Sequence, residues 1–153
     1  YLYKKDKYIP KIKFNEIISV GSLKVGNYVL YFKLEDADGN ETDFIGESGI
    51  ISIFKGNNKD PFSIDGGIAD MLAYKSISVT VDNIDTAYDY LKVYVEERRY
   101  IGASRFTEVY KINKKYVVRN KKCNIIITGE EQKENLSIND INLQYFIASS
   151  AKT

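Results

Sequence analysis

The sequence predicts an all-β fold, an antiparallel sandwich, on three observations. The stretch 26–42 alternates cleanly, with Tyr28, Leu30, Phe32 and Leu34 falling on one face, as a half-buried strand requires. It ends in Asp36-Ala37-Asp38-Gly39-Asn40, residues that tolerate positive φ and so reverse the chain. From Ile12 to Ile112, about six or seven strand-like segments alternate with turn residues, and no helical run is long enough for a βαβ unit. The chain also carries 13 Tyr and 7 Phe but no Trp, a balance that suits sheets, where a ring covers apolar neighbours and leaves its hydroxyl wet.

The elements follow in order. A basic lead-in precedes a first strand over 12–20, and Gly21 and Gly26 bracket a turn before the main strand, 28–35. After the Asp36–Asn40 reversal a strand runs on, broken at Gly46 and Gly49 where a bulge is expected, and resumes over 50–54. The stretch 56–73 holds Asn57, Asn58, Asp60-Pro61 and Gly66-Gly67 and reads as a long loop, a place where contacts concentrate. Ile77, Val79 and Val81 then alternate against Ser76, Ser78 and Thr80. Leu91, Val93 and Val95 alternate against Tyr90, Lys92, Tyr94 and Glu96. A hairpin is expected across Asn113-Lys114, joining 105–112 to 115–119, and a further strand at 123–128. Over 136–148, Ser137-Ile138-Asn139-Asp140 fits a helix-capping box, while Ile141, Leu143, Tyr145 and Ile147 alternate as a strand would; a brief turn and a strand are expected. Leu23 and Tyr28 carry the Leu-to-Tyr spacing of a tyrosine corner.

With 153 residues the chain is long enough for one domain of roughly 100–150 residues and an extension. The sandwich is placed at 9–112, and 113–153 as a β-rich extension belonging to the next module of a longer chain. A chain that opens on Tyr1 rather than Met is expected to be a piece of something larger.

Composition narrows function more than it assigns it. No histidine is present, which removes Ser-His and Cys-His nucleophile pairs and His-based zinc sites. The single Cys123 allows no internal disulfide; set at the start of an apolar strand, it reads as a buried, inert thiol. Ser48, in Gly46-Glu47-Ser48-Gly49, lacks both a strand-to-helix elbow and an activating base, and Gly66-Gly67 lacks the Lys-Ser/Thr of a phosphate loop. The chain is therefore not expected to be an enzyme. No apolar stretch approaches a membrane span.

The net charge of +1 is unevenly spread. An acidic block runs from Glu35 to Glu47, between basic stretches at 4–13 and 111–122. Solvated faces and protected edges explain this arrangement, and so does a complementary head-to-tail contact between copies. Asp36-x-Asp38-Gly39-Asn40 is the one metal-like spacing: Asp36, Asp38 and Asn40 offer alternate oxygens suited to calcium. Gly stands fourth rather than sixth, however, and no bidentate Glu closes the loop, so a self-capped turn is the simpler reading and no cofactor is expected. Lys and Arg interleaved with Tyr110 and Tyr116 over 110–122 form a combination able to hold nucleic acid by phosphate contact and stacking, but a solvated strand pair explains it as well.

Two phrases go beyond generic β-sequence. Gly26-Asn27-Tyr28 through Phe32, continuing through Asp36–Ile45 and Glu47-Ser48-Gly49, resembles a segment of the large tail structural proteins of crAss-like gut phages, the nozzle, muzzle or "stabilisation" class. Asn83–Tyr94 and the closing Ala148–Thr153 are similar to later parts of the same region. At fold level the first segment also looks like fibronectin type III or bacterial immunoglobulin-like modules. The resemblance implies a virion component near the tail, assembled in the host bacterial cytoplasm, in many copies and with no catalytic residues. Its partners would be other copies of itself and neighbouring tail proteins. The contact residues expected on this reading are Asp38, Asp43, Lys59, Asp65, Lys114, Lys115 and Arg119, with charge swaps at Asp38 or Lys115 weakening assembly and sparing the fold. The competing class is a fibronectin-like extracellular module recognising glycan or host protein.

Overall fold

The computed structural model describes residues 9–54, 72–101 and 104–137. Among these residues the chain is all-β: β1 (Lys11–Lys24), β2 (Gly26–Glu35), β3 (Gly46–Ile53), β4 (Leu72–Asp82), β5 (Tyr90–Ile101), β6 (Ser104–Ile112), β7 (Tyr116–Val117), β8 (Cys123–Ile127) and β9 (Lys133–Leu136). They form two antiparallel sheets that face each other, one of three strands in the order β1-β4-β8 and one of six, β3-β2-β5-β6-β9 with β7 also on β5. No helix among the described residues is long and apolar enough to cross a membrane.

Alternation builds the core. Tyr28, Leu30, Phe32 and Leu34 of β2, Ile77, Val79 and Val81 of β4, and Leu91, Val93 and Val95 of β5 are all buried in one cluster. Register keeps these faces aligned: Leu30 pairs with Val95, Phe32 with Val93 and Leu34 with Leu91. Each fully buried aliphatic or aromatic side chain contributes roughly 1.5–3 kcal/mol, and a one-residue slip would turn the whole set outward. The Tyr28 hydroxyl donates to the Lys24 carbonyl, 2.6 Å away and four residues upstream, and so pins the bend between β1 and β2. That is the corner geometry expected from the Leu23 and Tyr28 spacing.

The pairings β1–β4, β2–β3, β2–β5 and β5–β6 are those of strands B–E, C–C′, C–F and F–G in an immunoglobulin-type sandwich. In that arrangement a strand A lies beside B and a strand D beside E. Here β8, arriving from late in the chain, takes the place beside β4. Among the described residues the place beside β1 is open.

The bulge expected near Gly46 and Gly49 is present. Val29 pairs with Ile50 but Tyr31 pairs with Glu47, leaving an extra residue on β3. Gly49 absorbs it at φ +79°, a left-handed conformation that a side chain would strain. The Ser48 hydroxyl fills the gap in the ladder, accepting from the Leu30 N–H at 3.0 Å and donating to the Gly49 carbonyl at 2.8 Å.

Three expectations need correction. Residues 113–136 are not an appendage to a sandwich ending at 112. Ile77, Val79 and Val81 pair with Ile127, Ile125 and Cys123, so β8 completes the smaller sheet and buries its apolar face in the common core. A five-residue strand has too little of its own to pack against, and the open flank of β4 supplies the partner. Asn113-Lys114 is not a hairpin turn either. β7 pairs with β5 at Tyr90 and Leu91, so it prolongs β6 along the same edge, with 113–115 as an irregularity between them. Finally, Gly21 is not in a turn. β1 continues to Lys24, but its register jumps between Ile18 and Leu23. The extra residues cross β4, where Val20 accepts from the Ser76 hydroxyl, and Ser22 N–H donates to the Thr128 carbonyl at 2.7 Å. Most of the expected 56–73 loop, and all of 138–148, lie outside the described residues.

Candidate functional site

The end of the sandwich where β2 meets the 36–44 segment gathers most of the residues that the sequence singles out. The turn is built by Asp36. One carboxylate oxygen accepts from the backbone N–H groups of Asp38 (3.0 Å) and Asn40 (2.9 Å), and the other from the Asn40 side-chain amide (3.1 Å). These bonds, with those from Asn40 first, hold the Asp36 carboxyl below its ordinary range. Gly39 occupies φ +87°, as the reversal needs. Both oxygens of Asp36 thus serve the loop itself. Among the described residues, no group of three or more acidic or cysteine side chains is placed to hold a metal ion. Asp38 and Asp43 are exposed at the tip.

Behind this turn lies a buried charge network that the sequence did not announce. Glu35, at the end of β2, is buried, with Lys92 of β5 at 3.6 Å and Lys115 at 2.5 Å. Lys92 also donates to Glu41 at 2.7 Å. Burial opposes the charge on Lys92, but its hydrogen bond to Glu41 and the nearby carboxylates outweigh that and hold its ammonium above the ordinary lysine range. Burial likewise works against the Glu41 carboxylate, and Lys92 overcomes it, so Glu41 titrates below its usual range. The neighbouring Lys92 ammonium, with burial second, pushes Lys111 down.

Lys115 therefore belongs to the fold. It closes an ion pair on a buried glutamate and lies 5.3 Å from the centre of the Tyr90 ring. Lys115 is itself exposed, and a charge swap there would set a second carboxylate beside buried Glu35. Lys114 is exposed and sits 5.1 Å over the Tyr116 ring. Arg119 is exposed and opens a two-residue turn, paired by backbone with Lys122 in both directions (2.8 and 3.0 Å). Asn120 and Lys121 at its tip both have positive φ, the mirror-image hairpin turn, for which Asn120 was the readable signal. Lys59 and Asp65 lie outside the described residues. Tyr110 and Tyr116, candidates for stacking on bases, are buried, with Lys133 and Lys114 over their rings.

A second charged group occupies the far end of the core-facing side of the larger sheet. Glu97 and Glu108 face each other across β5 and β6. Arg99 joins them, its Nε 2.7 Å from Glu97 and its Nη2 3.3 Å from Glu108. The Tyr110 hydroxyl donates to Glu97 at 3.1 Å. Burial pushes the Glu97 carboxyl up despite that bond. Chemically the arrangement neutralises like charges brought together by register, as cross-strand neighbours must be.

The outward face of the same sheet is also covered. Val29, Tyr31, Phe44, Tyr94 and Val109 form a small buried cluster. Phe44 meets Tyr94 edge-on at 5.0 Å and Tyr31 at 5.9 Å, with the Lys33 ammonium 4.6 Å from its ring centre. Beside them Glu96 accepts from Tyr31 (2.9 Å) and Arg98 (2.6 Å). Cys123 is buried, and burial pushes its thiol up to about 11, which keeps it protonated and unreactive. A shallow hollow of about 480 Å³ lined by Thr86, Tyr88, Asp89, Val118, Asn120 and Lys121 presents Asp89 as its single carboxylate. No known protein family matches the chain, and no curated protein sequence matches it.

Proposed function

We propose that this chain is a non-catalytic structural module of a phage tail protein, working through contacts with other copies of itself and with neighbouring virion components. The resemblance of 26–49 and 83–94 to such proteins suggests the setting, and one observation supports the role. The buried charged groups Glu35, Lys92, Glu96, Glu97 and Arg99 are matched to one another or to partners across strands. Exposed charge includes the turn residues Asp38, Asp43 and Arg119. A body that neutralises its interior and presents charged turns is suited to docking, and weak contacts repeated around a ring sum to firm assembly. The reading calls for no cofactor, and it places the chain in the virion, assembled in the bacterial cytoplasm. The test is Asp38→Lys with Asp43→Lys in the parent protein: particle assembly falls while the thermal midpoint of the isolated chain stays put. Unchanged assembly contradicts the reading.

One observation favours the competing class, an extracellular module for glycan or host protein. The outward face of the smaller sheet carries a row in which the Asn15 amide donates to Thr80 (2.8 Å) and Ser78 (3.3 Å), and the Thr80 hydroxyl donates to Asn124 (2.8 Å), with Lys13 and Glu16 paired opposite Thr80 and Ser78. Amide and hydroxyl groups at strand spacing can recognise sugar hydroxyls. Specific retention on a glycan array, lost with Asn15→Ala, would favour that class over assembly.

A further inference from the structure

We infer that β1 is a self-complementary edge on which β1 of a second copy pairs antiparallel, the two Phe14 side chains meeting at a two-fold axis. The inference rests on the assembly reading for its partner and identifies the surface where two copies meet. Along 11–18, β1 pairs with β4 on one side and, among the described residues, with no strand on the other. The edge is apolar toward the core. Ile12, Phe14 and Ile17 pair with Val81, Val79 and Ile77, all fully buried, yet Phe14 is 42% and Ile17 36% exposed. Toward solvent it carries Lys11, Lys13 and Glu16, paired with Asp82, Thr80 and Ser78.

A bulge makes this strand match itself. Between Phe14 and Glu16 the pairing with β4 slips by one residue, so Asn15 is extra. Its amide reaches back over β4, to Thr80 at 2.8 Å and Ser78 at 3.3 Å, away from the free side of the strand. In a regular strand Lys13 and Glu16 would fall on opposite faces. The slip brings them to one face, at equal steps from Phe14, and it places Ile12 and Ile17 symmetrically on the other. An antiparallel copy centred on Phe14 therefore sets Lys13 against Glu16 twice and Ile12 against Ile17 twice, with Lys11 opposite Ile18. Lysines on an edge ordinarily repel a second edge, but here no charge meets its like and both exposed apolar residues gain a neighbour. The contact is isologous and joins two three-stranded sheets into one. It is far smaller than the roughly 20–30 residues a side of a standard interface, so it is weak alone and gains strength where an assembly already holds copies together.

The test uses the whole chain in four forms: native, Lys13→Glu, Glu16→Lys, and the double swap. Both residues are exposed, and thermal midpoints check that each form keeps the fold. Sedimentation of the native chain should show weak, concentration-dependent dimerisation. Either single swap sets like charges against each other at two places and should weaken it roughly tenfold. Mixing the two single variants should restore a one-to-one dimer, because one carries glutamate and the other lysine at both positions. The double swap should restore self-pairing. Amide exchange of the native chain supplies an arm that needs no variant: protection over 11–18, and at no other strand edge, should rise with concentration. Association that survives both single swaps unchanged, without added protection over 11–18, overturns this pairing but leaves assembly through another surface standing. A chain that stays monomeric at every concentration overturns the pairing and, with it, contact between isolated copies.

Discussion

At the scale of single residues, the molecule is shaped by a few large groups whose placement admits little substitution. Phe44 lies on no strand, yet it is buried between Tyr31 and Tyr94 on the outward face of β2 and β5. Phe44→Ala should therefore cost about 3 kcal/mol in chemical denaturation, the usual loss for a buried ring, with the strand content of the circular dichroism spectrum retained. A loss below about 1 kcal/mol would mean that the cluster is not packed as described. Glu97 has a titration signature. Its carboxyl is raised in the folded chain, mainly by burial, so the native state takes up that proton at a higher pH than the unfolded chain does. Its contribution to stability is thus complete below the ordinary glutamate range and is lost as pH rises through the folded value. Compared across pH 4 to 8, the stability of the native chain relative to Glu97→Gln should decline with rising pH and then level off. A difference that grows with pH would contradict the assignment.

At the scale of elements, the two charged positions of the sequence reading separate. Asp38→Lys, on an exposed tip, should change stability by no more than about 0.5 kcal/mol. Lys115→Glu should cost roughly 1–2 kcal/mol, because it turns an ion pair with buried Glu35 into a repulsion, while Lys92 remains to offset part of it. Denaturant midpoints of the two variants distinguish these outcomes, and equal midpoints would remove Lys115 from the fold. The strands themselves were readable. Tyr28 to Leu34, Ile77 to Val81 and Leu91 to Val95 alternate because one face of each meets the core, and that is a local pattern. What was not readable depends on partners distant in sequence. Lys92, Tyr94 and Glu96 have the polar-outward phase of a solvated face, yet all are buried, since Glu41, Phe44 and Arg98 reach over them. The β8 run 123–127 carries the same apolar alternation whether it closes this sandwich or starts another module; only its register with β4 decides. The acidic and basic blocks looked like opposite faces for docking, whereas Glu35, Glu41, Lys92 and Lys115 consume part of that charge within the molecule.

At the scale of the whole molecule, two sheets close over one core, and late strands complete both of them. β8 seals the flank of β4, β7 and β9 extend the larger sheet, and the 128–131 turn fastens to β1, where Ser22 donates to the Thr128 carbonyl and to Glu130 (2.7 and 2.9 Å). This integration leaves the edge of β1, rather than that of β4, open among the described residues. Native-state hydrogen exchange tests it most directly. If 123–127 belongs to the common core, the hydrogen-bonded amides of β8 should open only with the global unfolding free energy, in step with those of β4 across a denaturant series. Exchange of β8 through a separate opening of much lower free energy, while β4 stayed protected to the global limit, would show that the late strands are an appendage and would contradict the account.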